Sequence, residues 1–138
     1  MDRCLFDTSA VSDFLQPLHK RSPAVVARLR QYLRAHGQVT LSEMSCFEIL
    51  RGLRKKRAVL QVQQFQRWCQ HSELLPVTYD ILDRAATLWA DGQNGGVTVD
   101  DTDLVIAATA LVTELPLVSA NPRHFAWISG LNVLNWRE

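Results

Sequence analysis

The stretch CLFDTSAV, residues 4–11, passes from an apolar run into a helix-forming run through a single carboxylate, Asp7. The apolar half is typical of a short buried strand, and the pattern SAVSDFL that follows predicts a short helix. A carboxylate between two buried elements is costly unless it caps the helix, is paired, or holds a cation. The rest of the chain has to decide among these roles for Asp7.

Strand-like and helical patterns alternate along the whole chain. Strands are expected at residues 3–6, 38–42, 73–77, 116–120 and 131–135, and helices at 9–15, 23–36, 42–71 with a break near Arg57, 79–92 and 101–115. Parallel strands need crossover connections, and helices then cover both faces of the sheet. The pattern therefore predicts an α/β protein, a three-layer α/β/α sandwich on a mainly parallel sheet of about five strands. No linker or repeat divides the chain, so we expect one domain over residues 1–138.

Composition excludes several classes of protein. With 47% apolar and 21% charged residues and a net charge of +1, no overall field favours nucleic acid or membranes. Three cysteines without a CxxC spacing argue against a disulfide scaffold or a thiolate zinc site and suit a reducing compartment. Neither a secretory signal nor a run of about 20 apolar residues is present, so a cytoplasmic protein with no membrane contact is expected.

Acidic residues follow the predicted strands. Asp7 follows the first strand, Glu48 lies on the helix after the second, and Asp100, Asp101 and Asp103 open the helix that leads to the fourth. In parallel α/β sheets, functional groups gather beyond the carboxyl ends of the strands. A helical wheel places Glu48 on the rim of the packed face, with the apolar residues of its helix assigned to the packed arc: Phe47, Ile49, Leu50 and Leu53.

Converging carboxylates repel one another unless they are protonated or share a cation. Mg²⁺ prefers hard oxygen ligands, so acids without histidine or thiolate partners suit it better than zinc. Such an ion can polarise a phosphoryl oxygen and activate a water for in-line attack. If the acids meet in space, phosphodiester hydrolysis is the chemistry they indicate.

Each acid also has a simpler explanation when taken alone. Asp7 could cap the helix it precedes, because aspartate is a favoured N-cap residue. Asp100 and Asp103 fit a start resembling a capping box. Glu48 could form an ordinary surface pair with Arg51, three residues later on the helix. Capping alone gives no reason for all of them to follow strands at one sheet edge.

Four segments together carry a family resemblance: LFDTSAVSDFL, SEMSCFEILRGLRKK, VDDTDLVIAATAL and LVSANPRHFAWISGLNVLNW. In this order they span nearly the whole chain, which resembles the PIN-domain ribonucleases and, within them, the VapC toxins of toxin–antitoxin (VapBC) pairs. The resemblance implies that Asp7, Glu48 and Asp103 are catalytic metal ligands, directly or through water, with Asp101 as an accessory acid.

The resemblance also assigns supporting roles. Ser9 matches a small polar residue that orients the first acid, and Ser119 lies beside the fourth acidic position of the wider family. That fourth position is Asn121 here, a departure that puts a second tightly held metal in doubt.

The family implies a Mg²⁺- or Mn²⁺-dependent endoribonuclease that cuts single-stranded or loop RNA and leaves a 5′-phosphate. It also implies a homodimer, inhibited by a cognate VapB-like antitoxin whose C-terminal segment lies across the active groove.

A basic run, RGLRKKR at residues 51–57, lies next to Glu48. Arg51, Arg54 and Lys55 could follow an RNA backbone there, and Arg123 could steady a phosphate from the opposite side. A charged run is also a common solvated helix face, so both interpretations stay open at this point.

Three other functions are alternatives to a metal-dependent ribonuclease. A receiver-type phosphoacceptor would need a lysine after the last strand, and an aspartyl phosphatase would need an acid where Ser9 stands. Neither pattern is met, and GxSxG, HExxH and phosphate-loop motifs are absent. The main alternative is a catalytically silent PIN-like protein that only binds RNA or a partner.

Overall fold

The computed structural model describes every residue from Met1 to Glu138. Its strands are β1 (Leu5–Phe6), β2 (Thr40–Ser42), β3 (Glu73–Leu75), β4 (Leu117–Val118) and β5 (Val133–Leu134). Its α-helices are α1 (Thr8–Leu15), α2 (Pro23–His36), α3 (Glu43–Lys55), α4 (Val59–Gln70), α5 (Tyr79–Asn94) and α6 (Asp101–Thr113). Two 3₁₀ turns cover Leu18–Lys20 and Pro122–His124.

All strand pairing is parallel. β4 pairs with β1 on one side and β5 on the other, while β2 pairs with β3. β1 also lies against β2, although the two share no hydrogen-bonded ladder. The predicted α/β fold with five parallel strands is confirmed, although hydrogen bonding divides the strands into a three-stranded sheet and a two-stranded sheet. Each strand is shorter than predicted, because ladder pairing covers only two or three residues of each apolar run.

Alternation along the strands divides the core into two layers. Leu5 and Leu117 face the cluster built with α5 and α6, whereas the next residues, Phe6 and Val118, face the cluster built with α1 and α2. Successive side chains of a strand point to opposite faces, so two-residue strands are enough to serve both clusters. The three-layer arrangement follows directly from this alternation.

Aromatic side chains fill the second layer. The Phe6 ring makes edge-to-face contacts with Phe14, Tyr32 and Trp136, at centroid distances of 5.3, 5.0 and 4.9 Å. Such geometry is favoured by the ring quadrupoles. Because Trp136 is only 5% exposed, the closing segment of the chain is anchored in this core.

Helix ends follow their local signals with one exception. Pro23 opens α2 and Gly37 ends it in the left-handed region, at φ 81°, as predicted. The predicted break near Arg57 separates α3 from α4. The helix end expected near Gly92 falls two residues later, at Asn94. Gly92 is buried instead against the Trp127 indole, where an added Cβ would lie 3.2 Å from the ring.

The rotation of α3 about its axis differs from the prediction. Ser45 is completely buried, while Phe47 is 54% exposed and does not belong to the packed arc. At 100° per residue, Phe47 lies about 200° around the helix from Ser45, so burial of one exposes the other. Ile49, Leu50 and Leu53 do pack against the core, as expected.

α6 is buried nearly all round from Leu104 to Ala110, as its almost entirely apolar sequence predicts. The three cysteines are free, with the Sγ atoms of Cys46 and Cys69 3.9 Å apart. No helix in the structure combines the length and the apolar character needed to cross a membrane.

Candidate active site

Asp7 lies at the carboxyl end of β1 and caps α1. Its Oδ1 accepts hydrogen bonds from the Ala10 backbone N–H, at 2.8 Å, and from the Ser9 hydroxyl, at 2.7 Å. The residue is only 4% exposed. Burial raises the pKa of Asp7 above its usual value, and hydrogen bonds from hydroxyl and amide donors partly offset that effect. Asp7 is therefore held rigidly, and its negative charge is costly without a cation.

Hydroxyl groups connect the start of α1 to the loop after β4. Ser9 Oγ accepts from the Ala120 backbone N–H at 2.9 Å and lies 3.4 Å from Ser119 Oγ. Ser119 Oγ in turn accepts from the Asn121 backbone N–H at 2.9 Å. Ser9 thus stands where it can orient the Asp7 carboxylate, and Ser119 is buried beside it.

Glu48 reaches the same region from α3. Its Oε2 accepts a hydrogen bond from Thr102 Oγ1 at 3.1 Å and lies 3.7 Å from Arg51 Nη2. Its Oε1 is buried and has no hydrogen-bond partner. Buried polar atoms are almost always paired in folded proteins, so an unpartnered carboxylate oxygen points to a ligand.

Asp103 reaches the site from the first turn of α6. Burial raises the pKa of its carboxyl to about 6, and repulsion from Glu48 and Asp7 adds to that rise. His124 Nδ1, 3.8 Å from Asp103 Oδ2, acts in the opposite direction. Because charges interact strongly only over short distances, Glu48 and Asp7 both lie near enough to Asp103 for their charges to raise its pKa.

No group of three or more histidine, cysteine or acidic side chains is drawn close enough together to form a ready-made metal cage. Mg²⁺ does not require one, because it usually keeps several waters and binds through one or two carboxylates. All candidate ligands are oxygens, and Glu48 Oε1 lacks any other partner. The residues therefore fit a hydrated magnesium-like ion better than a softer metal.

The simpler explanations are partly correct. Asp7 does cap α1, and Glu48 does lie near Arg51, but neither contact uses all the oxygens of the acid. Asp100 occupies the N-cap position of α6, yet its side chain makes no capping hydrogen bond. Capping explains part of the Asp7 geometry and none of the position of Asp103.

Other predicted residues lie at the periphery. Asp101 is exposed, and its side chain makes no hydrogen bond or ion pair. Asn121 is exposed and contacts Ser119 only through its backbone. The cations Arg54, Lys55 and Arg123 are exposed and unpaired, on the surfaces of α3 and of the turn that holds His124.

Two residues near the site were not found from the sequence. Thr102 is 7% exposed and donates to Glu48, although nothing in its position between two aspartates distinguishes it from a solvent-facing threonine. Phe47 was assigned to the core, and its exposure follows only from the rotation of α3.

The raised acid pKa values predict how stability depends on pH without a metal. The folded state holds the Asp103 proton more tightly than the unfolded chain does, so the protonated form is favoured by folding. The stabilisation that protonated Asp103 contributes should be fully present below about pH 4 and be lost as pH rises through about 6. The change from 3.8 to about 6 corresponds to at most about 3 kcal/mol, for a side chain 22% exposed.

Urea denaturation in a chelating buffer between pH 4 and 7.5 measures this dependence. Asp103→Asn should reduce the fall in stability across that range, because its side chain cannot ionise. An unchanged pH dependence in Asp103→Asn would contradict the assignment. The exposed neighbour Asp101→Asn is the matched control and should behave as the wild type.

The chain is similar to known proteins in both sequence and structure. The family model described as PIN domain matches residues 4–130. A relative from Mycobacterium tuberculosis, named ribonuclease VapC19, is 29% identical over 124 residues, covering 88% of this chain and 90% of that protein. Ribonuclease VapC1 of Methanocaldococcus jannaschii is 24% identical over 123 residues, covering 89% and 79%.

Solved structures share the fold of this chain over nearly its whole length. VapBC2 from Rickettsia felis, bound to a DNA fragment from its promoter, aligns with a TM-score of 0.83 and 19% identity over 98% of this chain and 99% of that chain. FitAcB from Neisseria gonorrhoeae aligns with a TM-score of 0.78 and 24% identity over 96% and 97%. At sequence identities of 19% and 24%, the structural similarity establishes a shared fold.

Proposed function

Because this chain belongs to the PIN domain family, we propose that it is a metal-dependent endoribonuclease toxin of the VapC type. The reaction is hydrolysis of phosphodiester bonds in single-stranded or loop RNA. The observation that carries the proposal is the unpartnered, buried Oε1 of Glu48 in a region where Asp7 and Asp103 repel it. Sequence relatives named ribonucleases support the same substrate class.

Asp7, Glu48 and Asp103 would hold the ion, which is Mg²⁺ or Mn²⁺. When bound, the ion supplies Lewis-acid polarisation of the phosphate and activation of water. Asp7 contributes a fixed carboxylate, because Ser9 and Ala10 hold one of its oxygens. Thr102 and Arg51 orient Glu48 through Oε2, and Oε1, which has no other partner, would be available to hold the ion. Asp101 and Asn121 are peripheral, whereas Ser119 belongs to the loop after β4 that contacts the Ser9 hydroxyl.

RNA would approach across exposed cations on both sides of the acids. Arg51, Arg54 and Lys55 line the α3 side, and Arg123 lies beyond His124 on the other. Positive side chains at this spacing neutralise backbone phosphates and position the strand without reading its sequence. The acids alone would repel an RNA strand, so these cations are part of the proposed site.

A VapB-like antitoxin is the proposed inhibitor. A groove of about 1060 Å³ runs between α1, α2, α3 and α4, and Glu48 forms part of its wall. Apolar side chains line much of it, including Leu29, Leu33, Leu53, Phe65 and Trp68, together with the cations Arg21 and Lys56. An amphipathic segment with acidic residues suits such a groove and would cover Glu48 as it lies there. Co-expression with the candidate antitoxin should suppress RNA cleavage.

A homodimer is proposed on the opposite side of the molecule. Tyr79, Leu82 and Trp89 are 79%, 49% and 51% exposed, and they follow one face of α5. Large apolar residues repeated along one helix face are typical of an interface, so we assign this face to a second copy of the chain. Sedimentation equilibrium tests the assignment, since a wild-type monomer at micromolar concentration would contradict it.

Digestion of defined RNAs with the purified chain tests the activity. Mapping the new ends should give 5′-phosphates within single-stranded or loop segments, and only when Mg²⁺ or Mn²⁺ is present. A protein that binds RNA without cutting it under these conditions would instead be the silent PIN-like protein. Cleavage that persists in chelator would remove the metal from the proposal.

A further inference from the structure

Phe47 is an exposed aromatic residue beside the acidic site. It lies on α3 directly before Glu48, and 54% of it is exposed to solvent. Neither core cluster includes it, although apolar neighbours on the same helix pack inward. A large aromatic side chain left in water next to a charged site has no role in packing.

Arg51 connects this ring to the site. Its guanidinium carbon lies 5.2 Å from the centre of the Phe47 ring, and its Nη2 lies 3.7 Å from Glu48 Oε2. The ring and the guanidinium are one helical turn apart, on the same side of α3. One planar cation therefore contacts both the exposed aromatic and a site carboxylate.

Arg54 and Lys55 continue the positive surface along α3 from this pair. A flat aromatic face with adjacent cations is the surface that single-stranded nucleic acids use, with bases stacked on rings and phosphates on lysine and arginine. A protein partner would more readily use the apolar groove or the α5 face, where cations are fewer. The chemistry around Phe47 therefore favours RNA.

We propose that Phe47, steadied by Arg51, stacks against an unpaired base next to the bond that is cut, and so helps to select the cleavage site. This inference rests on the proposed ribonuclease activity and adds a residue that contacts the base rather than the reacting phosphate. Bases within a duplex are stacked on their neighbours and cannot reach the ring. The platform thereby gives a physical reason for a preference for single-stranded or loop RNA.

The test compares Phe47→Leu, which keeps apolar volume but removes the ring, with Phe47→Tyr, which keeps the ring. Leu60→Ala is the control, because Leu60 is 62% exposed on α4 and lies outside the platform. Binding is measured by fluorescence anisotropy in an Asp7→Asn background, with a short RNA that spans a mapped cleavage site. Versions of this RNA carry a single abasic nucleotide on either side of the cut.

Phe47→Leu should weaken binding of the intact RNA by about 10-fold, whereas Phe47→Tyr and Leu60→Ala should bind normally. With Phe47 present, one of the two abasic RNAs should bind about 10-fold more weakly than the intact RNA. With Phe47→Leu, that abasic RNA and the intact RNA should bind with the same affinity. The proposal would be overturned if Phe47→Leu weakened binding of intact and abasic RNA by the same factor, or if it did not weaken binding at all. A change in sedimentation mass with unchanged RNA affinity would overturn it too, in favour of a protein interface.

Failure of the stacking proposal can be distinguished from failure of the proposed ribonuclease activity. If the wild-type chain cuts RNA and Asp7→Asn does not, while Phe47→Leu matches the wild type, only the stacking platform fails. If the wild-type chain cuts no RNA, the proposed function fails first.

Discussion

Asp7→Asn is expected to lower RNA cleavage by at least about 100-fold without unfolding the protein. Asparagine caps helices as well as aspartate does, so the hydrogen bond from the Ala10 N–H should survive. Removing a buried charge from a site that is 4% exposed should leave the free energy of unfolding unchanged or raised. Only the charge that would attract the cation is lost.

Single-turnover cleavage and urea denaturation of the same preparations measure both effects. Asp100→Asn is the matched control, since Asp100 is an exposed N-cap residue whose side chain makes no capping bond. It should cut RNA at the wild-type rate. Cleavage by Asp7→Asn at that rate would point to a contaminating nuclease or to another site in the chain.

Removal of divalent metal is expected to abolish cleavage reversibly, and Mg²⁺ should stabilise the fold. A ligand at 100 times its dissociation constant adds about 2.7 kcal/mol to the free energy of unfolding. The gain should be larger at pH 7 than at pH 5, because the Asp103 carboxyl, with a pKa of about 6, must lose its proton to bind the ion. Thermal denaturation with and without Mg²⁺ at both pH values measures it.

Glu48→Gln should lose most of this stabilisation, because the unpartnered Oε1 no longer carries charge. Glu43→Gln is the control, since Glu43 is an exposed acid at the start of the same helix. Equal stabilisation of Glu48→Gln and the wild type would remove Glu48 from the metal site. Loss of stabilisation in Glu43→Gln as well would indicate nonspecific charge screening instead.

Local patterns were sufficient for the order and type of the elements. Pro23 and Gly37 bound α2, and the break near Arg57 separates α3 from α4, because these signals act through backbone conformation within a few residues. Gly92, two residues before the end of α5, has a nonlocal environment. Its missing Cβ makes room for Trp127, which is distant in sequence.

The acids of the candidate site show the same difference between local and tertiary determinants. Asp7 could be placed at a strand end because its position depends only on β1 and α1. The contact between Thr102 and Glu48 joins α6 to α3, and no periodicity within either helix contains it. The unpaired Glu48 Oε1 likewise depends on what surrounds it in space.

The amino-acid sequence alone determined that strands and helices alternate, that the sheet is parallel, and that acids stand after its strands. These features follow from periodicity and from the need for crossover connections. Tertiary structure alone decided the rotation of α3, which buries Ser45, exposes Phe47 and turns Glu48 toward Thr102. The rotation of α3 is set by its simultaneous packing against α1, α4 and α6. Because these helices are separate segments of the chain, no local sequence pattern predicts their combined contacts.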